Sequence, residues 1–127
     1  MLLVEDDAAI AELYALKLRL DGHAVSVATD SAGGAGAFRR ERPEVVCVDV
    51  RLPDGGGDEL AQRLAAEGAP VILLTNDEDG VARPPAGVAL ALLKARTRPS
   101  QLSTAVGELV GARGAQAAAV PVLDDQG

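Results

Sequence analysis

Glu5, Asp6 and Asp7 close the apolar run Leu2-Leu3-Val4, and Asp49 closes Val45-Val46-Cys47-Val48. Short apolar runs of this kind read as buried strands, and in a parallel α/β sheet the carboxyl ends of the strands share one edge, where ligands bind. Acids remote in sequence therefore meet. Thr75 follows Val71-Ile72-Leu73-Leu74, and Lys94 follows Val88-Ala89-Leu90-Ala91-Leu92-Leu93, so a hydroxyl and an ammonium reach the same edge. The chemistry open to this set is phosphoryl capture, because a carboxylate can attack phosphorus and form an aspartyl-phosphate. The incoming dianion needs a cation beside it. Hard Mg²⁺ takes carboxylate, phosphate and water oxygens, and the acids at positions 5–7 would supply them opposite Asp49. Lys94 offsets another phosphoryl oxygen, and the short hydroxyl of Thr75 can donate to a third and so sense whether the group is there.

The elements that must position these residues alternate along the chain. Strand-length apolar runs are separated by segments of helical period, the pattern of βαβ units around a parallel sheet. Strands are predicted at about 2–5, 24–28, 44–49, 70–75 and 88–93. A first helix, about 8–20, carries Ile10, Leu13, Leu16 and Leu20 at spacings of three and four and stops before Asp21-Gly22. The second, about 30–41, opens on Asp30-Ser31 but includes Gly33, Gly34 and Gly36, each unfavourable by ~1 kcal/mol relative to Ala, and is expected to be loosely held. The third, about 57–66, follows Asp54-Gly55-Gly56-Gly57, and the last, about 99–110, starts around Pro99-Ser100. The fourth crossover is short: Pro84-Pro85 denies helix to its second half, leaving one or two turns near Asp77–Arg83. Beyond Gly111 the Ala- and Gly-rich sequence lacks amphipathicity, so residues 112–127 are expected to form a flexible tail or linker after a single domain over 1–111.

Composition narrows the function classes. With one Phe, one Tyr and no Trp, the core must be built from Leu, Val, Ile and Ala, and stacking onto nucleic-acid bases is not expected. A net charge of −7 leaves no basic stripe for a phosphate backbone and suits metal ions and basic partner surfaces. The lone Cys47 reads as a buried thiol, compatible with a reducing cytosol. No run approaches the ~20 apolar residues that span a bilayer. A cytoplasmic protein without nucleic-acid or membrane contact through this domain is expected.

Residues 1–110 resemble a receiver domain of the two-component response-regulator family. Leu2-Leu3-Val4-Glu5-Asp6-Asp7 is similar to the family's opening strand with its metal-binding acidic pair, which the resemblance assigns to Glu5 and Asp6, leaving Asp7 as the less essential acid and a better candidate for a helix cap. Val48-Asp49-Val50-Arg51-Leu52-Pro53-Asp54-Gly55 resembles the phosphoacceptor segment, which implies Asp49 as the phosphorylated residue and the Arg51 carbonyl as a metal ligand; Gly57 matches the glycine that opens the third helix. Leu73-Leu74-Thr75 resembles the switch threonine and Leu93-Lys94 the family lysine. The resemblance implies a three-layer, doubly wound, flavodoxin-like fold with a five-stranded parallel sheet in the order 2-1-3-4-5. It also implies Mg²⁺ as cofactor, a histidine kinase or phosphotransfer protein as phosphodonor, and a separate downstream protein. Chemistry would be limited to self-phosphorylation and slow autodephosphorylation.

Several positions depart from the family pattern. Ala91 stands where a switch aromatic is usual, Ala95 where proline follows the lysine in a cis peptide, and Asn76 where a very small residue is usual. A cis bond before a non-proline residue costs ~2.5–4 kcal/mol, so a trans bond and a rearranged loop are expected at Lys94-Ala95. Ala91 has no rotamer to switch, so phosphate-driven change is expected mainly within Thr75–Gly87. These departures admit an alternative, a degenerate receiver acting as a constitutive interaction module. A phosphatase of the haloacid dehalogenase type is disfavoured, because its second Asp, two residues past the nucleophile, would fall on Arg51.

Overall fold

The computed structural model describes the backbone of residues 1–126 and the side-chain surroundings of residues 1–112. Strands β1 (Leu2–Val4), β2 (Ser26–Ala28), β3 (Val46–Asp49), β4 (Val71–Thr75) and β5 (Leu90–Leu93) form one parallel sheet in the order β2-β1-β3-β4-β5. Between and after them run α1 (Ala8–Leu20), α2 (Ser31–Glu41), α3 (Gly57–Ala66), α4 (Glu78–Ala82) and α5 (Pro99–Gln126). The doubly wound architecture and strand order are those expected, and the fourth helix is short.

Side chains alternate across the sheet with period two. Leu2, Val4, Val46, Val48, Val71 and Leu73 share one core cluster with Phe38 of α2 and Leu60 and Leu64 of α3. Leu3, Cys47, Ile72 and Leu74 share the other with Tyr14 and Leu18 of α1 and Leu102 and Val106 of α5. Burial on both faces explains why the central strands read as unbroken apolar runs. It also makes Cys47 the buried thiol that the sequence suggests. One glycine of α2, Gly34, has a packing reason. A Cβ at Gly34 would lie 3.0 Å from Val4 Cγ2 and 3.1 Å from Leu60 Cδ2, so glycine lets α2 lie close against β1 and α3.

The end of the last helix needs correction, and the packing of α1 adds what its apolar period does not show. Ile10, Leu13, Leu16 and Leu20 mark α1 as a helix, but of the four only Ile10 packs against the core: Leu13, Leu16 and Leu20 are 60%, 55% and 73% exposed. The buried residues are Ala11, Tyr14, Ala15 and Leu18. Small residues at 11 and 15 let the helix axis approach the sheet and α5, which a row of leucines would hold away. The last helix, expected over about 99–110, runs Pro99–Gln126. Amphipathicity reports a buried face rather than helicity, and alanine, abundant here, is the strongest intrinsic helix former. The tail expected over 112–127 otherwise lies outside the residues whose side chains are described.

The buried face of α1 can be tested by urea denaturation. Leu18→Ala should destabilise the fold by ~2–5 kcal/mol, as for a fully buried leucine, whereas Leu16→Ala and Leu20→Ala should each stay within ~0.5 kcal/mol of the parent. Equal losses at all three positions would refute the assignment.

Candidate functional site

Each of four strands delivers one group to the carboxyl edge. β1 runs into Glu5, whose N–H donates to the Ala28 carbonyl at 2.9 Å and whose side chain is fully buried. Asp6 follows, exposed. Asp7 turns away and caps α1, its Oδ1 accepting from Ala9 N at 3.0 Å and Ile10 N at 3.1 Å. β3 ends on buried Asp49 and β4 on buried Thr75, while Lys94 follows β5 directly. Gly57 lets α3 start against the end of β3: a Cβ there would fall 2.3 Å from the Asp49 carbonyl oxygen and 2.4 Å from that of Val50.

The Lys94 ammonium is the centre of this edge. Its Nζ donates to Asp49 Oδ2 at 2.7 Å and lies 2.8 Å from Glu5 Oε1. The contact to Glu5 is an ion pair without hydrogen-bond alignment, so Oε1 is a buried oxygen with no hydrogen-bond partner. The other Asp49 oxygen, Oδ1, accepts from Arg51 N at 3.1 Å. Thr75 Oγ1 accepts from Asp77 N at 3.0 Å, which leaves the hydroxyl hydrogen free to donate elsewhere.

Electrostatics follow from crowding carboxylates at a dry edge. Burial pushes the Glu5 carboxyl up to about 7; the Lys94 ammonium beside it pulls the other way, and neighbouring Asp49 adds to the rise. Burial works against the charge on Lys94, but the hydrogen bond to Asp49 and the attraction of Asp49 and Glu5 outweigh it, and its ammonium is held above the ordinary lysine value. One oxygen from each of Glu5, Asp6 and Asp49 lies within 4.8 Å of the others. Like charges ~4 Å apart at an effective dielectric of ~20 repel by ~4 kcal/mol. Three carboxylates against one ammonium, with a buried oxygen lacking a partner, fit a small hard divalent cation.

The sequence-predicted residues Glu5, Asp6, Asp49, Thr75 and Lys94 thus gather at one edge, and Arg51 joins them through its N–H. Three supporting contacts are not legible in the sequence. The Tyr14 hydroxyl donates to the Thr97 carbonyl at 2.7 Å and ties α1 to the loop after Lys94. Asp54 accepts from Ser31 N at 2.9 Å and Ala32 N at 3.1 Å, so the loop after β3 caps α2. Asn76 Oδ1 accepts from Ala95 N at 2.9 Å. The last two residues carry a signal, an Asp in a glycine-rich turn and an Asn after a strand, but their partners lie 23 and 19 positions away. The expected rearrangement after Lys94 is a one-turn 3-10 helix, Lys94–Arg96, and no cis peptide occurs among the described residues. No helix among the described residues is long and apolar enough to cross a membrane.

Known proteins resemble this chain in sequence and in fold. The family model for the response regulator receiver domain matches residues 1–106. The chain is 40% identical over 77 residues to "Probable transcriptional regulatory protein TcrX" of Mycobacterium tuberculosis, a match covering 59% of this chain and 33% of that protein. It is 39% identical over 82 residues to "Transcriptional regulatory protein CseB" of Streptomyces coelicolor, covering 64% of this chain and 35% of that protein. The chain therefore matches about a third of the length of these relatives. Among solved structures, a CheY-like response regulator receiver domain protein from Methanospirillum hungatei JF-1 superimposes with a TM-score of 0.81 at 25% identity, covering 91% of this chain and 95% of that one. With the family model spanning most of its length and the same sheet order underneath, this chain belongs to the response regulator receiver domain family, the phosphorylation-accepting signalling switches of two-component systems.

Proposed function

We propose that Asp49 accepts a phosphoryl group from the phosphohistidine of a histidine kinase or phosphotransfer protein. The observation that carries this reading is the Lys94 ammonium set between Asp49 and Glu5, which brings the ends of β1, β3 and β5 to one reactive carboxylate. An Asp49 carboxylate oxygen bonds to phosphorus as the P–N bond to the donor histidine breaks, and the ring nitrogen keeps the electron pair and takes up a proton. Lys94 stays beside the new phosphoryl oxygens, and the Thr75 hydroxyl donates to one of them. Glu5, Asp6, Asp49 and the Arg51 carbonyl would hold Mg²⁺, which supplies positive charge against the phosphoryl oxygens. Attack by water on the acyl phosphate slowly resets the switch, so the domain turns over no external substrate.

A groove of about 460 Å³ opens beside Lys94, lined by Ile10, Leu13, Tyr14, Ala95, Thr97 and Pro99. A donor must bring its histidine to Asp49, and the groove with the exposed leucines of α1 offers apolar area at that mouth. We assign it to the phosphodonor. The relatives' names carry transcriptional regulation; here the output is read by a downstream protein in the cytoplasm, since the net charge of −7 disfavours nucleic acid on this domain.

Incubation with acetyl phosphate and Mg²⁺ should add one phosphoryl group, about 80 Da by mass spectrometry, and Asp49→Asn should abolish it. Equal labelling of parent and variant would remove Asp49 from this role.

The raised carboxyl of Glu5 sets a pH dependence for the metal. A cation must displace its proton, so Mg²⁺ affinity should rise by up to about ten-fold per pH unit below 7 and level off above it. The metal-free protein should behave oppositely. Its folded state binds more protons than the unfolded state between the ordinary value of 4.5 and about 7, so stability falls as pH rises through that window. Thermal melts from pH 5 to 8 with and without Mg²⁺ would show both trends, and Asp6→Ala should lose most of the metal-induced rise in Tm. A Mg²⁺ response that is flat with pH, or unchanged in Asp6→Ala, contradicts the ligand set.

A further inference from the structure

Two residues that depart from the receiver pattern, Asn76 and Ala95, are bonded to each other: Asn76 Oδ1 accepts from Ala95 N at 2.9 Å. Each departure supplies what the other lacks. Alanine in place of proline after Lys94 restores an N–H, and as the second residue of the one-turn helix Lys94–Arg96 that N–H has no partner within the turn. Leu93, the residue before that turn, provides no side-chain cap. A very small residue at 76 would bring no side-chain carbonyl to this point, whereas asparagine does. The rest of the loop is fixed from other directions, by Thr97 Oγ1 donating to the Leu93 carbonyl at 2.8 Å and the Tyr14 hydroxyl donating to the Thr97 carbonyl at 2.7 Å. The clasp therefore joins the end of β4 to the residue next to the ammonium that touches Asp49.

We propose that Asn76 is a positioning residue for Lys94: its bond to Ala95 N–H holds the lysine loop in place of the usual proline ring and couples that loop to the Thr75 turn. The coupling rests on the phosphoacceptor reading above; the clasp itself does not. Thr75 Oγ1 accepts from Asp77 N, so a hydroxyl that moves toward a phosphoryl oxygen while donating its hydrogen pulls on the turn on which Asn76 sits. Displacement then passes across to Ala95 and the start of α5, through backbone and amide rather than an aromatic rotamer, which Ala91 cannot provide. Change on phosphorylation thus extends beyond Thr75–Gly87 to the loop after Lys94.

Amide hydrogen exchange read residue by residue tests this in two arms. In the metal-free, unphosphorylated protein, Asn76→Ala should speed exchange at Ala95 by roughly five-fold, as for one lost hydrogen bond, and Asn76→Asp, which keeps the acceptor, should restore protection. Asn76 is exposed, so the fold does not depend on it. In the second arm, Asn76→Ala should slow Asp49 labelling by acetyl phosphate several-fold, and in an Ala95→Pro background, where the donor is gone, the same substitution should have no further effect. Beryllofluoride with Mg²⁺ should change exchange at 95–98 in the parent and not in Asn76→Ala. Unchanged Ala95 exchange in Asn76→Ala overturns the clasp; independent, additive losses from the two substitutions overturn the positioning role. A parent that takes no label overturns the phosphoacceptor reading and the coupling with it, while the first arm still decides whether the clasp exists.

Discussion

The interaction on which the site depends is the Lys94 ammonium held between Glu5 and Asp49. Packing the sheet drives Glu5 and Asp49 into the same buried edge, where two carboxylates repel and each loses hydration. One ammonium cannot neutralise both and Asp6 as well. Charge is therefore left unbalanced, Glu5 holds its proton to near neutrality, and one of its oxygens is left without a hydrogen-bond partner. That imbalance is what a divalent cation and a phosphoryl group would jointly settle, and it costs stability in their absence. A site of this kind is strained by the same packing that makes the rest of the core dense.

The loops and helix starts around this edge are held by close backbone approach and polar contacts. Gly57 allows α3 to begin against the backbone of Asp49 and Val50, where any side chain would collide. Asp54 fastens the loop after β3 to the start of α2 by occupying two N–H groups that the helix cannot satisfy itself. Tyr14, one of the chain's few aromatics, spends its hydroxyl on the Thr97 carbonyl and so joins α1 to the loop after Lys94. Asn76 reaches that loop from the other side. The carboxyl edge is thus a ring of short loops tied to one another by polar contacts, standing on a rigid apolar sheet.

The outer face of the molecule is organised by what is left uncovered. α1 buries Ala11, Tyr14, Ala15 and Leu18 and presents Leu13, Leu16 and Leu20 outward, with Leu13 lining the groove that opens next to Lys94. α4 buries none of its residues and is held by its Asp77 cap and by contacts with β4 and β5. A segment with no buried side chain is easily displaced, and Thr75 sits at its base.

Much of this was legible in the sequence, because strand-end placement is a local property. An apolar run that ends in an acid, a hydroxyl or a lysine sends that group to the carboxyl edge whatever the rest of the chain does, so Glu5, Asp6, Asp49, Thr75 and Lys94 could be read one strand at a time, along with the parallel sheet that unites them. The helical period of α1 was legible in the same way, but its buried face was not: two apolar stripes run along that helix, and only the volume available between the sheet and α5 selects the one with the smaller side chains. The reach of α5 past Gly111 was hidden because its continuation lacks the apolar stripe by which helices are recognised. Hydrogen bonds between loops were hidden for a different reason. Asn76 and Ala95 each stood out as a local departure, yet their complementarity exists only once β4 and β5 are paired and their ends brought within 2.9 Å of each other. Local sequence determined which groups arrive at the edge; tertiary packing decided how far apart they stand, which of them share the Lys94 ammonium, and which apolar surface is left uncovered.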